Sequence, residues 1–144
     1  MRKALFVYFG SSFFLHFLWE NLQAPLYAGY TSFSQHFWIC LTATATGDMI
    51  FMVLIYLALA LLHKDIRWVQ NRPAYASSAT WILAVLIGVL LAVSFEWWAV
   101  FVAHRWVYGI MPLVPVLHVG LTPVLQMIAV PVVTLFLCSR FTSS

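Results

Sequence analysis

Glu96 stands near the end of a long apolar run, in the stretch Ser94-Phe-Glu-Trp-Trp-Ala-Val-Phe-Val-Ala-His-Arg-Trp-Val-Tyr108. A carboxylate inside hydrocarbon is costly and is kept there for a task or by a partner. A second acid, Glu20, follows His16 by four positions, so the two share a helix face and can hydrogen-bond or ligate together. The third, Asp48, closes the run Thr42-Ala-Thr-Ala-Thr-Gly-Asp48, on the same helix face as Thr44. A neutral carboxylic acid can protonate an alkene or an epoxide while a second carboxylate removes a proton elsewhere. His16, Glu20, Asp48 and Glu96 are therefore the candidate catalytic residues. No cofactor is expected. A metal ion on the same four residues is chemically permissible, but their spacing specifies none.

The elements that must position these side chains follow from composition. The chain has 144 residues, of which 64% are hydrophobic and 8% charged, whereas soluble domains carry roughly 25% charged residues. Apolar runs long enough to cross a hydrocarbon core need about 18 or more residues, and such runs lie near residues 4–24, 35–63, 78–104 and 120–138. The expected fold is all-α: a polytopic membrane four-helix bundle forming a single integral membrane domain over residues 1–144. The opening Met-Arg-Lys and apolar run imitate a signal peptide. His16, Glu20 and the lack of a clean cleavage site make it a retained span instead.

Seven Lys and Arg give the net charge of +3, and their placement matters more than their sum. Arg2 and Lys3 precede the first run; Lys64, Arg67 and Arg72 separate the second from the third; Arg140 follows the fourth. Only Arg105 falls on the other side. The positive-inside rule then puts both termini and the middle link in the cytoplasm. Topology accounts for the basic balance, and nucleic acid is not among the expected partners. Cys40 and Cys138 fall near opposite membrane faces, and no C-x-x-C is present, which points away from a thiol oxidoreductase.

Counting about 1.5 Å per helical residue from the cytoplasmic ends places Glu20, Asp48 and Glu96 roughly 20–25 Å up a core about 30 Å thick. Gln126 and Thr122 bracket the same level, while Leu54–Leu62, Val85–Leu91 and Val132–Leu137 leave the inner half almost purely apolar. Three carboxylates in one dry layer cannot all stay ionised without partners. Ala92, Glu96, Ala99 and Ala103 form a narrow stripe that carries Glu96 towards other helices. Around the acids, Trp19, Trp97 and Trp98 could turn their ring faces to a cationic intermediate. Asn21, Gln126 and Thr122 could hydrogen-bond a ligand, and Arg105 is the one outer-side cation available to pair a carboxylate. The segment Gly109 to Gly120 is apolar but rich in Pro and Gly, so a non-helical outer loop is expected there. Thr122-Pro123 then reads as N-cap and first residue of the last helix, and Pro131 as a kink.

The strings Leu18-Trp-Glu with Gln23-Ala-Pro-Leu-Tyr27, Glu96-Trp-Trp-Ala99, Arg105-Trp-Val-Tyr108, and Met111-Pro-Leu-Val-Pro115 with Gly120-Leu-Thr-Pro-Val-Leu-Gln126 carry a likeness. They resemble those of a family of small uncharacterised bacterial four-helix membrane proteins. That resemblance implies the fold and a bacterial inner-membrane location, and carries no activity with it. A looser similarity is to the emopamil-binding-protein-like sterol isomerases and sigma-2-type receptors. It implies an intramembrane His-x-x-x-Glu paired with a further acid, an outline that His16, Glu20 and Glu96 fit.

The expected function is an intramembrane carboxylate and histidine site that binds or acid/base-converts a lipophilic small molecule, in the manner of an isomerase or cyclase. The alternatives are a proton- or cation-coupled transporter, a metal-binding membrane protein, and a structural or partner subunit. The lipid bilayer and the lipophilic molecule are the expected partners, with room left for a homodimer. Cysteines introduced at Gln70 and Ser144 should react with an impermeant maleimide only from the cytoplasmic side, and one at Ser32 only from outside. Labelling of Ser144 and Ser32 from the same side would overturn this topology.

Overall fold

The computed structural model describes residues 2–141; Met1 and residues 142–144, including the Ser144 labelling position, lie outside the described residues. Among the described residues the chain is helical and has no strand, only the isolated antiparallel bridges Tyr27–Tyr108 and Leu113–Gly120. The helices are α1 (Arg2–Gln23), α2 (Phe33–Ala43), α3 (Met49–His63), α4 (Arg72–Ala76), α5 (Ser78–Trp97) and α6 (Leu121–Phe141). A π-helical turn, Thr44–Asp48, joins α2 and α3 into one rod, and a second, Trp98–Val102, prolongs α5. Three of the resulting helices, Phe33–His63, Ser78–Val102 and Leu121–Phe141, are long and apolar enough to cross a membrane. That is the mark of an integral membrane protein. α1 has 22 residues but carries Arg2, Lys3, His16, Glu20, Asn21 and Gln23.

α6 lies between α1 and α5 and packs most closely on both. α1 offers it a stripe at every fourth position, Ala4, Tyr8, Ser12 and His16, and α5 offers Thr80, Ala84, Gly88, Ala92 and Glu96. The stripe on α5 is made of small residues down to the acid, and small residues let helix backbones approach where lipid removes any hydrophobic drive. At Gly88 the approach is complete: the carbonyl oxygen of Met127 occupies the place that a Cβ would take. Pro131 explains why that carbonyl is free. Proline has no N–H, so the oxygen four residues earlier, that of Met127, loses its helical partner and lies against the Cα of Gly88, where a weak C–H···O contact can form. Pro131 is accommodated inside α6, which continues to Phe141.

The inner end is closed by aromatic side chains. Trp68 is fully buried among Tyr8, Tyr56 and Tyr75, with ring centroids 5.9, 5.5 and 6.0 Å away. Each polar tip finds a backbone oxygen: Tyr8 donates to Met52 (3.2 Å), Trp68 to Tyr56 (3.1 Å) and Tyr75 to Val69 (2.6 Å). The link between α3 and α5 is thus a plug tucked into the helix ends. Asp65 organises it by accepting from the Arg67 amide (2.8 Å) and the Asn71 side chain (2.7 Å), and the Arg67 amide holds its carboxyl below the usual range.

At the outer end, residues 103–120 form no helix, as their prolines and glycines require. The backbone nonetheless finds partners: Ala28 donates to Val107 (2.9 Å), Gly109 to Leu26 (2.9 Å), Val114 to Val119 (2.8 Å) and Leu121 to Pro112 (2.8 Å). α6 begins one residue before the expected cap. Thr122 lies inside its first turn and turns its hydroxyl to the Met111 sulfur at 3.0 Å, so it does not cap the helix.

Gly88→Ala should cost about 1–3 kcal/mol, the usual range for overpacking, because neither backbone can retreat without losing the helix contact. Gly10→Ala is the control, since a Cβ there would meet only the Phe6 ring, at 4.0 Å. Thermal unfolding in detergent should show a lowered midpoint for the first and none for the second.

Candidate functional site

The three acids arrive on three different elements. Glu20 lies on the last turn of α1, Asp48 ends the π-helical turn after α2, and Glu96 closes the buried stripe of α5. A π-helical turn widens the helix by one residue and re-aims the side chains around it. Both such turns fall at the level of the acids. All three carboxylates line one cavity of about 420 Å³, together with Gln23, Tyr27, Cys40, Phe51, Phe95, Trp106 and Gln126.

Glu96 is only 4% exposed and accepts a hydrogen bond from the Tyr108 hydroxyl, which in turn accepts from the Gly120 amide at 2.8 Å. Burial first, then the Glu96 contact, push the Tyr108 phenol well above its ordinary pKa, which keeps it a donor. Gly120 is needed here because a Cβ would come within 3.1 Å of the Tyr108 ring and 3.4 Å of the Glu96 carboxylate. This relay ties the acid to the backbone of the outer segment just before α6.

Glu20 accepts from the Gln23 amide at 2.8 Å, and the same amide nitrogen donates to Gln126 at 3.2 Å. Gln126 meets His16 Nδ1 at 2.8 Å, so one amide chain runs from Glu20 down to a histidine that is fully buried below the cavity. His16 Nδ1 is also 3.8 Å from Asp48 Oδ2, the one ion contact within 4 Å found among the described residues. Asp48 Oδ2, Gln23 Oε1 and the Trp106 indole nitrogen are buried without a hydrogen-bond partner among the described residues. The three acids therefore border one space in which an oxygen of Asp48 and the amide oxygen of Gln23 lack a donor among the described residues.

The structure brings together Glu20, Asp48, Glu96 and Gln126 on the cavity, with His16 one layer below. Other expected ligand-binding residues lie elsewhere. Trp97 and Trp98 are 53% and 41% exposed and do not line the cavity. Successive helical residues turn by about 100°, so once Glu96 faces inward its next two neighbours cannot. Trp19 turns away for the same reason, into a small apolar groove between α1 and α6 with Leu15 and Val130. Asn21 donates back to Phe17 of its own helix at 2.7 Å. Arg105 lines the cavity but is exposed, and pairs with no carboxylate within 4 Å among the described residues. Thr122 is held by Met111, as above. Among the described residues no three His, Cys, Asp or Glu side chains converge as a metal site would need.

Tyr108, Tyr27, Trp106 and Gln23 are the site residues that reading the spans does not find. Tyr27 packs edge-to-face on Trp106 (6.1 Å) and beside Tyr108 (5.9 Å), forming an aromatic roof over Glu96. No family model, no curated protein and no solved structure matches this chain.

With three carboxylates on one cavity and no Lys or Arg within 4 Å of any of them among the described residues, at least one should carry a proton at neutral pH. Infrared difference spectra should show a carboxylic C=O band that vanishes in one of Glu20→Gln, Asp48→Asn or Glu96→Gln. A spectrum without that band in any of the three would overturn the crowded-acid picture or mean that an ion neutralises the group.

Proposed function

We propose that the chain is a bundle of four membrane-spanning helices with both termini in the cytoplasm of a bacterial cell, whose acid cavity binds a lipophilic small molecule and converts it by proton transfer. α1 supplies the fourth span: its 22 residues reach about 33 Å at 1.5 Å each, and its His16 faces other protein rather than lipid. The observation that carries the reading is the meeting of Glu20, Asp48 and Glu96 on one cavity of about 420 Å³ with a largely aromatic and aliphatic lining. That size falls within the range of small-molecule sites.

The roles divide by hydrogen bonding. Glu96 accepts from Tyr108 and is therefore favoured as a carboxylate, the base of the pair. Glu20 and Asp48 line the same cavity with no Lys or Arg within 4 Å among the described residues, so a proton held on one of them would make that group the acid. Phe95 and Trp106, with ring centroids 5.9 Å apart, flank the space where charge would develop. A carrier or channel would need a polar path inward from the acids. The packing of Trp68, Tyr8 and Tyr56, with Met52, Ile55 and Leu59 fully or nearly fully buried beside them, gives such a path no footing.

Glu96→Gln keeps the shape and can still accept from Tyr108, but it cannot take a proton. The variant should purify with a melting midpoint equal to or above the parent's, since one fewer buried charge is compressed into the layer. A lipophilic molecule co-purifying with the parent, seen by native mass spectrometry, should be retained less, and its turnover should drop by about a hundredfold or more, as expected for loss of a general base. An unfolded Glu96→Gln beside undiminished ligand in Glu20→Gln would make Glu96 a structural hub and sink the assignment.

A further inference from the structure

The rod formed by α2 and α3 leans across the molecule. Its outer half packs on α1, and its close packing on α5 is confined to α3. Above α3, α2 and α5 therefore stand apart, although both line the acid cavity. The edge-to-face pair Phe51–Phe95, at 5.5 Å, forms the sill of this gap. On the α2 side the rim is Ile39, which is 62% exposed, followed by Ala43, Thr46 and Gly47. At Gly47 a Cβ would meet nothing within 4 Å, so the wall of the cavity is open there. Counted from His63 at about 1.5 Å per residue, Thr46 lies about 25 Å and Ile39 about 36 Å up the rod Phe33–His63, so in the proposed orientation the gap straddles the outer edge of a core about 30 Å thick.

We propose that the cavity is entered sideways, through the gap between α2 and α5, by the hydrocarbon chain of a membrane-dissolved amphiphile whose polar end reaches the acids. This rests on the proposed small-molecule site and adds the source and shape of its ligand. A chain lying against Ile39 and Ala43 exchanges one apolar contact for another on leaving the bilayer, so the gap needs no hinge. The head of such a molecule would bring hydrogen-bond donors to acceptors that lack them, Asp48 Oδ2 and Gln23 Oε1. Gln23 is 4% exposed and lines the cavity, so its free oxygen is available to an occupant of that space alone.

The test uses the full chain in vesicles containing a phosphatidylcholine with a diazirine at mid-chain. After irradiation, mass spectrometry should find adducts at Cys40 and Ala92, which are 4% and 3% exposed and line the cavity, as well as at the exposed Leu90. Gly47→Phe puts a ring into the open wall and should remove the adducts at Cys40 and Ala92 while leaving those at Leu90. Lipid-soluble dicyclohexylcarbodiimide should likewise modify Glu96 or Asp48 in the parent, and a water-soluble, impermeant carbodiimide should not. The idea is overturned if the parent's cavity residues carry no lipid adduct, if Gly47→Phe leaves them unchanged, or if the impermeant reagent reacts as fast as the lipid-soluble one. None of these readouts uses turnover, so an open route with inert acids and active acids with a watery entrance give different patterns.

Discussion

A carboxylate taken out of water costs several kcal/mol unless something replaces its hydration shell, and this chain withdraws Glu20, Asp48 and Glu96 together. Much of the molecule is arranged around that cost. The Gln23 amide donates to Glu20 and to Gln126, and Tyr108 supplies a hydroxyl to Glu96. The relay through Tyr108 to the Gly120 amide couples the acid on α5 to the start of α6. It also gives the irregular outer segment a reason to be ordered: its backbone and its one inward phenol complete the shell of a buried acid.

The same constraint shapes the helices. An acid layer that holds a cavity must be surrounded by helices that do not collapse into it. Tight packing is concentrated below, where Gly88 receives the Met127 carbonyl that Pro131 has released. Gly88 and Pro131 are thus two halves of one device, although they lie on different helices. Above that contact the π-helical turn at Thr44–Asp48 puts Thr46, Gly47 and Asp48 on the cavity wall. Firm packing at one end and a hollow at the other are what a binding site in a small bundle requires.

Much of this was legible in the sequence because hydrocarbon is a strict solvent. Acids in apolar runs, at one depth counted by helical rise, had to be neighbours, and the cavity has Glu20, Asp48, Glu96 and Gln126 on its wall. What the sequence could not show was direction. Trp97 and Trp98 adjoin Glu96 in the chain, yet helical rotation sends them outward. Trp106 and Tyr108 fall in the non-helical stretch, where no period fixes which way a side chain points, and both turn in. The link around Trp68 reads as polar by composition, and only its packing shows that one indole anchors the whole segment. The π-helical turns left no common mark, since Thr44–Asp48 is small and polar while Trp98–Val102 is bulky and apolar.

The aromatic plug at the inner end has an electrical consequence. A membrane potential of 100 mV does about 2.3 kcal/mol of work on a charge that crosses the whole bilayer, and most of the drop falls across the layer that excludes water. In the proposed orientation that layer is the stretch from Trp68 up to Met52, beneath the acids. A proton reaching Glu96 from the outer side crosses little of the drop, so the chemistry of the cavity would run at nearly the same rate in an energised and in a discharged membrane.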